Sequence, residues 1–290
     1  MGTPTRTTGV LEVPGAALYY EKRGSGPVLL LIPGGGADAG LYEGMADGLA
    51  AAGYTVVSYD PRGQSRSLLD RPPAGQRVEV WADDAYRVLE LVSPHEAAYV
   101  LGCSAGAVAA LELLARHPGR VARVVAHEPP LVEVLDEPAP HRALFAEVRD
   151  LLRAEGAGAA MARFAEGMSG PAGEPGAGDR PAPDADAELP PAIREMAPRM
   201  YANLPFFLEH VLCPFTGSVP DVAGLRREAG LLVLAAGADS RGTAALYGPA
   251  RRLAELTGAG FAEFPGGHVG CAERPAEFAA RLLEVLRGAV

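Results

Sequence analysis

Ser104 stands in the pentad Gly102-Cys103-Ser104-Ala105-Gly106, directly after the apolar run Ala98 to Leu101 and at the head of a helical pattern. A Gly-x-Ser-x-Gly at a strand-to-helix junction is a nucleophile elbow: the tight turn exposes the hydroxyl, and the flanking glycines let two backbones pack closely. Cys103 lies beside it, but an elbow presents its central residue, so Cys103 reads as a small buried hydrophobe. A serine hydroxyl is a weak nucleophile and needs a base within hydrogen-bond reach. His268 is that candidate, in the loop Pro265-Gly266-Gly267-His268 between the last strand pattern and the last helix; His95, His117, His127, His141 and His210 lack such a placement. Attack on a carbonyl creates an oxyanion, which needs two aimed donors. The N–H of Ala105 is one, and Gly35 is expected to supply the other from the turn Pro33-Gly34-Gly35-Gly36, with Gly36 as the alternative.

The base must in turn be oriented by a carboxylate. Asp239, just beyond the apolar run Leu231 to Ala235, completes the chain order Ser104, Asp239, His268 and is the expected acid. Glu128, at the tip of the preceding strand pattern in His127-Glu128-Pro129-Pro130, is the alternative.

These residues must be brought together by the elements between them. Two extended segments, Val10 to Val13 and Ala17 to Glu21, flank the turn pair Pro14-Gly15; strand patterns follow at Pro27 to Ile32, Tyr54 to Tyr59, Ala98 to Leu101, Val121 to Ala126, Leu231 to Ala235 and Gly260 to Phe264. Helical spacing separates most of them, near 41–52, 80–91, 105–117, 247–256 and 276–286. Strands alternating with helices predict an α/β fold with about eight strands in a mostly parallel sheet flanked by helices. The alternation breaks over 131–228, where four helical stretches (141–153, 159–168, 193–201, 206–212) predict a helical cap inserted after the sixth strand, dividing the core into 1–130 and 229–290. Residues 169–191 are nearly all Gly, Pro, Ala, Asp and Glu, too poor in apolar surface to order themselves, and are expected to form a loop in the cap.

Composition removes several classes of function. The 290 residues carry a formal net charge of -10, and no Lys/Arg run exceeds two, which argues against a nucleic-acid partner. Three cysteines without Cys-x-x-Cys spacing indicate neither a disulfide framework nor a cysteine metal site. No apolar stretch reaches membrane-spanning length and the first ten residues lack a signal-peptide pattern, so a cytoplasmic protein without a membrane partner is expected, as monomer or homodimer.

With elbow, glycine turn, acid and histidine in order, the chain resembles the α/β-hydrolase family, in particular its bacterial small-molecule serine hydrolases. The resemblance rests on Leu18 to Gly26 (LYYEKRGSG), Pro33 to Gly36, Asp60 to Ser65 (DPRGQS), Gly102 to Gly106, Gly237 to Asp239 and Gly266 to His268, and spans almost the whole chain. Pro33 departs from it, since many relatives have His before the oxyanion glycine. Relatives that open epoxides or remove halides use Asp at the nucleophile position. Ser104 therefore implies ester, thioester, lactone or carbon–carbon bond chemistry through an acyl-enzyme, with no metal or organic cofactor. The cap's large apolar residues Met161, Phe164, Met168, Met200, Tyr201, Phe206 and Phe207 are the candidates for contact with a bulky, apolar small molecule. Two other readings fit the same motifs: non-hydrolytic cyclisation or carbon–carbon chemistry in natural-product tailoring, and a ligand-binding protein with a disused triad.

Overall fold

A computed structural model describes residues 5–168 and 191–288. The antiparallel hairpin β1 (Thr7–Val13) and β2 (Ala16–Gly24) opens the chain. Then follow β3 (Val28–Ile32), α1 (Glu43–Ala51), β4 (Thr55–Tyr59), the two-residue strand β5 (Leu68–Leu69), α2 (Val78–Val92), β6 (Ala98–Cys103), α3 (Ala105–Arg116) and β7 (Val121–His127). A helical insertion comes next, with α4 (Pro138–Glu155), α5 (Ala157–Met168), α6 (Pro191–Phe206), a wide π-helical turn at Phe207–Val211, α7 (Leu212–Thr216) and α8 (Val222–Arg227). The chain closes with β8 (Leu232–Gly237), α9 (Tyr247–Thr257), β9 (Gly260–Phe264), α10 (Gly270–Glu273) and α11 (Pro275–Leu286).

The strands form one sheet in the order β1-β2-β4-β3-β6-β7-β8-β9, parallel from β4 to β9, with β5 hydrogen-bonded to β2. The expected fold class is thus observed, with β5 added; two residues against the edge of a hairpin are too short to leave a periodic pattern. The central strands β3 and β8 are apolar and buried at every position because both faces of the sheet are covered. Val28, Leu30 and Ile32 of β3 join the core under α2, α3 and α9, whereas Leu29 and Leu31 join the core under α1 and α11. A third apolar core, including Leu144, Phe145, Val148, Leu208 and Leu212, lies within the insertion.

β3 is bonded to β4 on one side and β6 on the other, so the winding of the sheet reverses between β3 and β6. In an open parallel sheet that reversal leaves a crevice at the carboxyl ends of the strands, where ligands bind. The glycine turn follows β3 and Ser104 follows β6, so both fall at this crevice. Residues 169–190 of the expected loop lie outside the described residues. Among the described residues, no helix is long and apolar enough to cross a membrane.

Candidate active site

Ser104 sits at the amino end of α3 with φ 55° and ψ -123°, a conformation that costs a non-glycine residue on the order of 1–3 kcal/mol. Its neighbours show how the turn is held. A Cβ on Gly102 would strike the Gly106 carbonyl, and a Cβ on Gly106 would strike the carbonyl oxygens of Ile32 and Pro33. Both glycines are therefore required by backbone contact, and α3 starts directly against the end of β3. The Ser104 N–H donates to the His127 carbonyl at 2.9 Å, tying the elbow to the tip of β7. Cys103 is buried in the core on the α1 and α11 side of the sheet, away from the elbow's exposed face.

His268 and Ser104 line the same cavity. The His268 loop reaches it because Gly266 adopts φ +84° and because Gly237, at the end of β8, has no Cβ to strike the carbonyls of Gly266 and Gly267. Gly267 N–H donates to Glu273 Oε2 at 3.1 Å and Gly270 N–H to the Gly267 carbonyl at 3.0 Å, which fixes the loop from below.

The carboxylate bonded to the imidazole is Glu128, not Asp239. Glu128 Oε2 lies 2.6 Å from His268 Nδ1, Glu128 Oε1 accepts the Gly237 N–H at 2.8 Å, and the residue is 0% exposed. Burial alone would raise the Glu128 pKa, but the hydrogen bond to His268 leads the opposing interactions, and together they bring it from 4.5 down to about 2. The group is thus an anion at neutral pH, so His268 Nδ1 carries the shared proton and Nε2 is left as an acceptor for a hydroxyl. Asp239 follows β8 as expected, but its side chain is 37% exposed and 3.8 Å from Arg274. Sequence order fits either acid; what separates them is that the Pro129-Pro130 pair ends β7 with Glu128 turned inward, whereas Ser240-Arg241-Gly242 carries Asp239 toward solvent. Glu128 has φ +48°, and the described non-glycine residues with positive φ are Ser65, Ser104 and Glu128. Two of the three belong to this site, and such strain persists only where surrounding structure enforces it.

Hydrogen bonding distinguishes the two glycines. Gly36 N–H donates to Gln64 Oε1 at 2.7 Å and is committed there. Gly35 lies against the ring of Phe207, which a Cβ would strike, and Gly34 lies against Ser104, with a Cβ there only 3.0 Å from that of the serine. Ala105, immediately after Ser104, lines the cavity.

Of the apolar residues expected to meet substrate, Phe164, Met168 and Phe207 line the cavity. Met161 packs in the insertion core, Met200 packs against the α1 and α11 core, Phe206 packs over Gly63, and Tyr201 is 70% exposed. Phe145, Leu212, Phe215 and Leu246 line the cavity without having been singled out, because helical spacing marks a residue as inward-facing without saying which core it enters. The enclosed space is about 30 Å³, room for a water-sized group. A larger surface groove of about 310 Å³ lies between α2, α3 and residues 214–225, behind Val108 and Leu131, and includes none of Ser104, Glu128 and His268.

The sequence profile of the alpha/beta hydrolase fold matches residues 27–188. The chain belongs to the α/β-hydrolase family. It is 48% identical over 131 residues to the uncharacterized hydrolase YraK of Bacillus subtilis (strain 168), covering 45% of this chain and 48% of that protein. It is 32% identical over 128 residues to a zearalenone hydrolase of Bionectria ochroleuca, covering 43% and 48%. The chain thus spans about half the length of the curated relatives it matches. Among solved structures, an esterase from Exiguobacterium antarcticum superposes with a TM-score of 0.74 at 17% identity, covering 99% of this chain and 100% of the esterase. A thermophilic esterase from Thermogutta terrifontis gives 0.69 at 20% identity, covering 98% and 99%. At those identities the likeness is one of fold, and this α/β hydrolase's own side chains carry the chemistry.

Proposed function

We propose that this α/β hydrolase cleaves an ester or lactone of an apolar small molecule through an acyl-enzyme on Ser104. The observation that carries the reading is the 2.6 Å bond from buried Glu128 to His268 Nδ1, made at the edge of a cavity that Ser104 also lines. His268 Nε2 takes the Ser104 proton as Oγ attacks the carbonyl carbon, and the Gly35 and Ala105 N–H groups receive the oxyanion. The imidazolium then protonates the leaving oxygen; water, deprotonated by His268, attacks the acyl carbon and releases the acid and Ser104. Glu128 stays ionised throughout and stabilises the imidazolium.

The rings of Phe145, Phe164, Phe207 and Phe215 give the cavity an apolar, aromatic wall that favours a hydrocarbon-rich acyl or lactone ring. The helical insertion supplies most of that wall and acts as a cap. The likeness to a zearalenone hydrolase supports the same class of substrate.

A fluorophosphonate probe tests the nucleophile directly. Wild-type protein is expected to be labelled on Ser104 and to hydrolyse p-nitrophenyl esters, while Ser104→Ala takes no label and loses activity by about 10³-fold or more. Folded wild-type protein that resists the probe and leaves both graded esters and lactones intact would overturn the reading.

A further inference from the structure

Arg199, Asn203 and Phe207 are spaced four apart and share one face of α6 and the turn that continues it. That face docks on the glycine turn. The Arg199 guanidinium pairs with Asp38, and the Phe207 ring lies against Gly35. Between them, Asn203 Nδ2 donates to the Gly36 carbonyl at 3.0 Å and to Ser65 Oγ at 2.8 Å, and its Oδ1 accepts the Ser65 N–H at 2.8 Å. Ser65 Oγ donates onward to Asp38 Oδ2 at 2.9 Å. Asp38 is fully buried and Asn203 is 5% exposed.

Gly36 is therefore held at both ends by side chains, its N–H by Gln64 and its carbonyl by Asn203. It sits at φ +77°, and Ser65, which Asn203 also grips, sits at φ +50°. A glycine turn has little conformational preference of its own, so its shape comes from whatever its peptide groups are bonded to. Oxyanion donors are effective when they are already aimed and need no reorganisation as charge develops.

We propose that Asn203 is a positioning residue for the oxyanion turn: by gripping the Gly36 carbonyl it fixes the peptide that follows Gly36, as Gln64 fixes the one that precedes it, and the turn so clamped keeps the Gly35 N–H facing the nucleophile. Asn203 is not among the residues lining the cavity and acts through the backbone. The proposal rests on the serine mechanism above and on the role of Gly35 in it.

A trifluoromethyl ketone provides the readout. Ser104 Oγ adds to its carbonyl carbon, the carbonyl π pair becomes an oxyanion and the hydroxyl proton passes to His268, so its inhibition constant reports the oxyanion site. The matching methyl ketone reports ground-state binding. Asn203→Ala is expected to lower kcat by about 10- to 100-fold with KM within about threefold, below the loss for deleting a donor outright. The trifluoromethyl ketone should weaken by the same factor and the methyl ketone should not. Asn203→Asp keeps the acceptor for Ser65 N–H but loses the donor to Gly36, should show the same loss, and carries the test if the alanine variant fails to fold. Arg199→Gln loosens α6 without touching Gly36 and is expected to leave trifluoromethyl ketone affinity within about threefold. The proposal is overturned if both Asn203 variants keep that affinity, if their loss lies in KM alone, or if Arg199→Gln loses as much. If wild-type protein forms no adduct, the serine mechanism itself fails.

Discussion

At the scale of single residues, the site depends on a carboxylate that burial disfavours and hydrogen bonding restores. Glu128 is fully buried, and its two oxygens are taken by His268 Nδ1 and the Gly237 N–H. Removing its charge leaves the imidazole with neither a fixed tautomer nor a counter-ion when it is protonated. Glu128→Gln is expected to lower kcat by about 10³- to 10⁴-fold, the loss typical of neutralising a triad acid, whereas Asp239→Asn should stay within about threefold. Steady-state kinetics on one p-nitrophenyl ester checks this, and the reverse ranking would move the acid to Asp239. The same carboxyl makes stability depend on pH. Its folded pKa, about 2, lies below the ordinary 4.5, so its stabilisation is fully present above about pH 4.5 and is lost as pH falls toward 2. A shift of that size corresponds to on the order of 3 kcal/mol. Urea unfolding of wild type and Glu128→Gln from pH 6 to 2 should therefore show the wild type losing stability more steeply below pH 4.5; parallel curves would mean the carboxyl is not depressed.

At the scale of elements, the elbow works because α3 begins against β3, and Gly106 marks the point of contact. A methyl at Gly106 would overlap the Ile32 and Pro33 carbonyls, which are backbone and cannot step aside as a side chain would. Gly106→Ala is expected to destabilise the protein by about 1–3 kcal/mol, read as a lower urea midpoint, with Gly119→Ala, where a Cβ meets nothing within 4 Å, as the control. Equal midpoints for both would show that the close approach carries no energetic weight. This element was legible in the sequence because its constraint is local: a buried strand, a five-residue turn and a helix are all within reach of short-range pattern. The sheet was legible for a related reason, since strands such as β3 and β8, buried on both faces, read as unbroken apolar runs. The acid was not, because Glu128 and Asp239 both end parallel strands, and only the inward turn at Glu128 φ +48° tells them apart. Nor were Asn203 and Arg199, whose partners Ser65, Gly36 and Asp38 lie 138 or more residues away along the chain.

At the scale of the whole molecule, the insertion is anchored to the sheet through Val211, Phe215 and Leu225 in one of the sheet's cores and Met196 in the other, while α4 and α5 pack in a core of their own. Two cores lie on the two faces of the sheet, and a third, smaller one is made by α4, α5 and the segment around Leu208 and Leu212. The cavity beside Ser104, about 30 Å³, is far short of the roughly 300 Å³ at which small-molecule sites begin, so an ester enters only when the elements or side chains lining it move, and α4 and α5 are the elements expected to do so. Helices packed mainly in a small core, as α4 and α5 are, open at lower free energy than a sheet buried on both faces. Amides of α4 and α5 are therefore expected to exchange with deuterium faster than those of β3, β6 and β7. A long-chain trifluoromethyl ketone bridging Ser104 and the aromatic wall should slow exchange in α4 and α5 while leaving the strands as they were, because it stabilises one position of the moving helices. Mass-resolved exchange with and without the ketone decides the matter. Exchange in α4 and α5 as slow as in the strands, or unchanged when the ketone binds, would mean that side-chain rotation at Phe207 and its neighbours opens the site without movement of those helices.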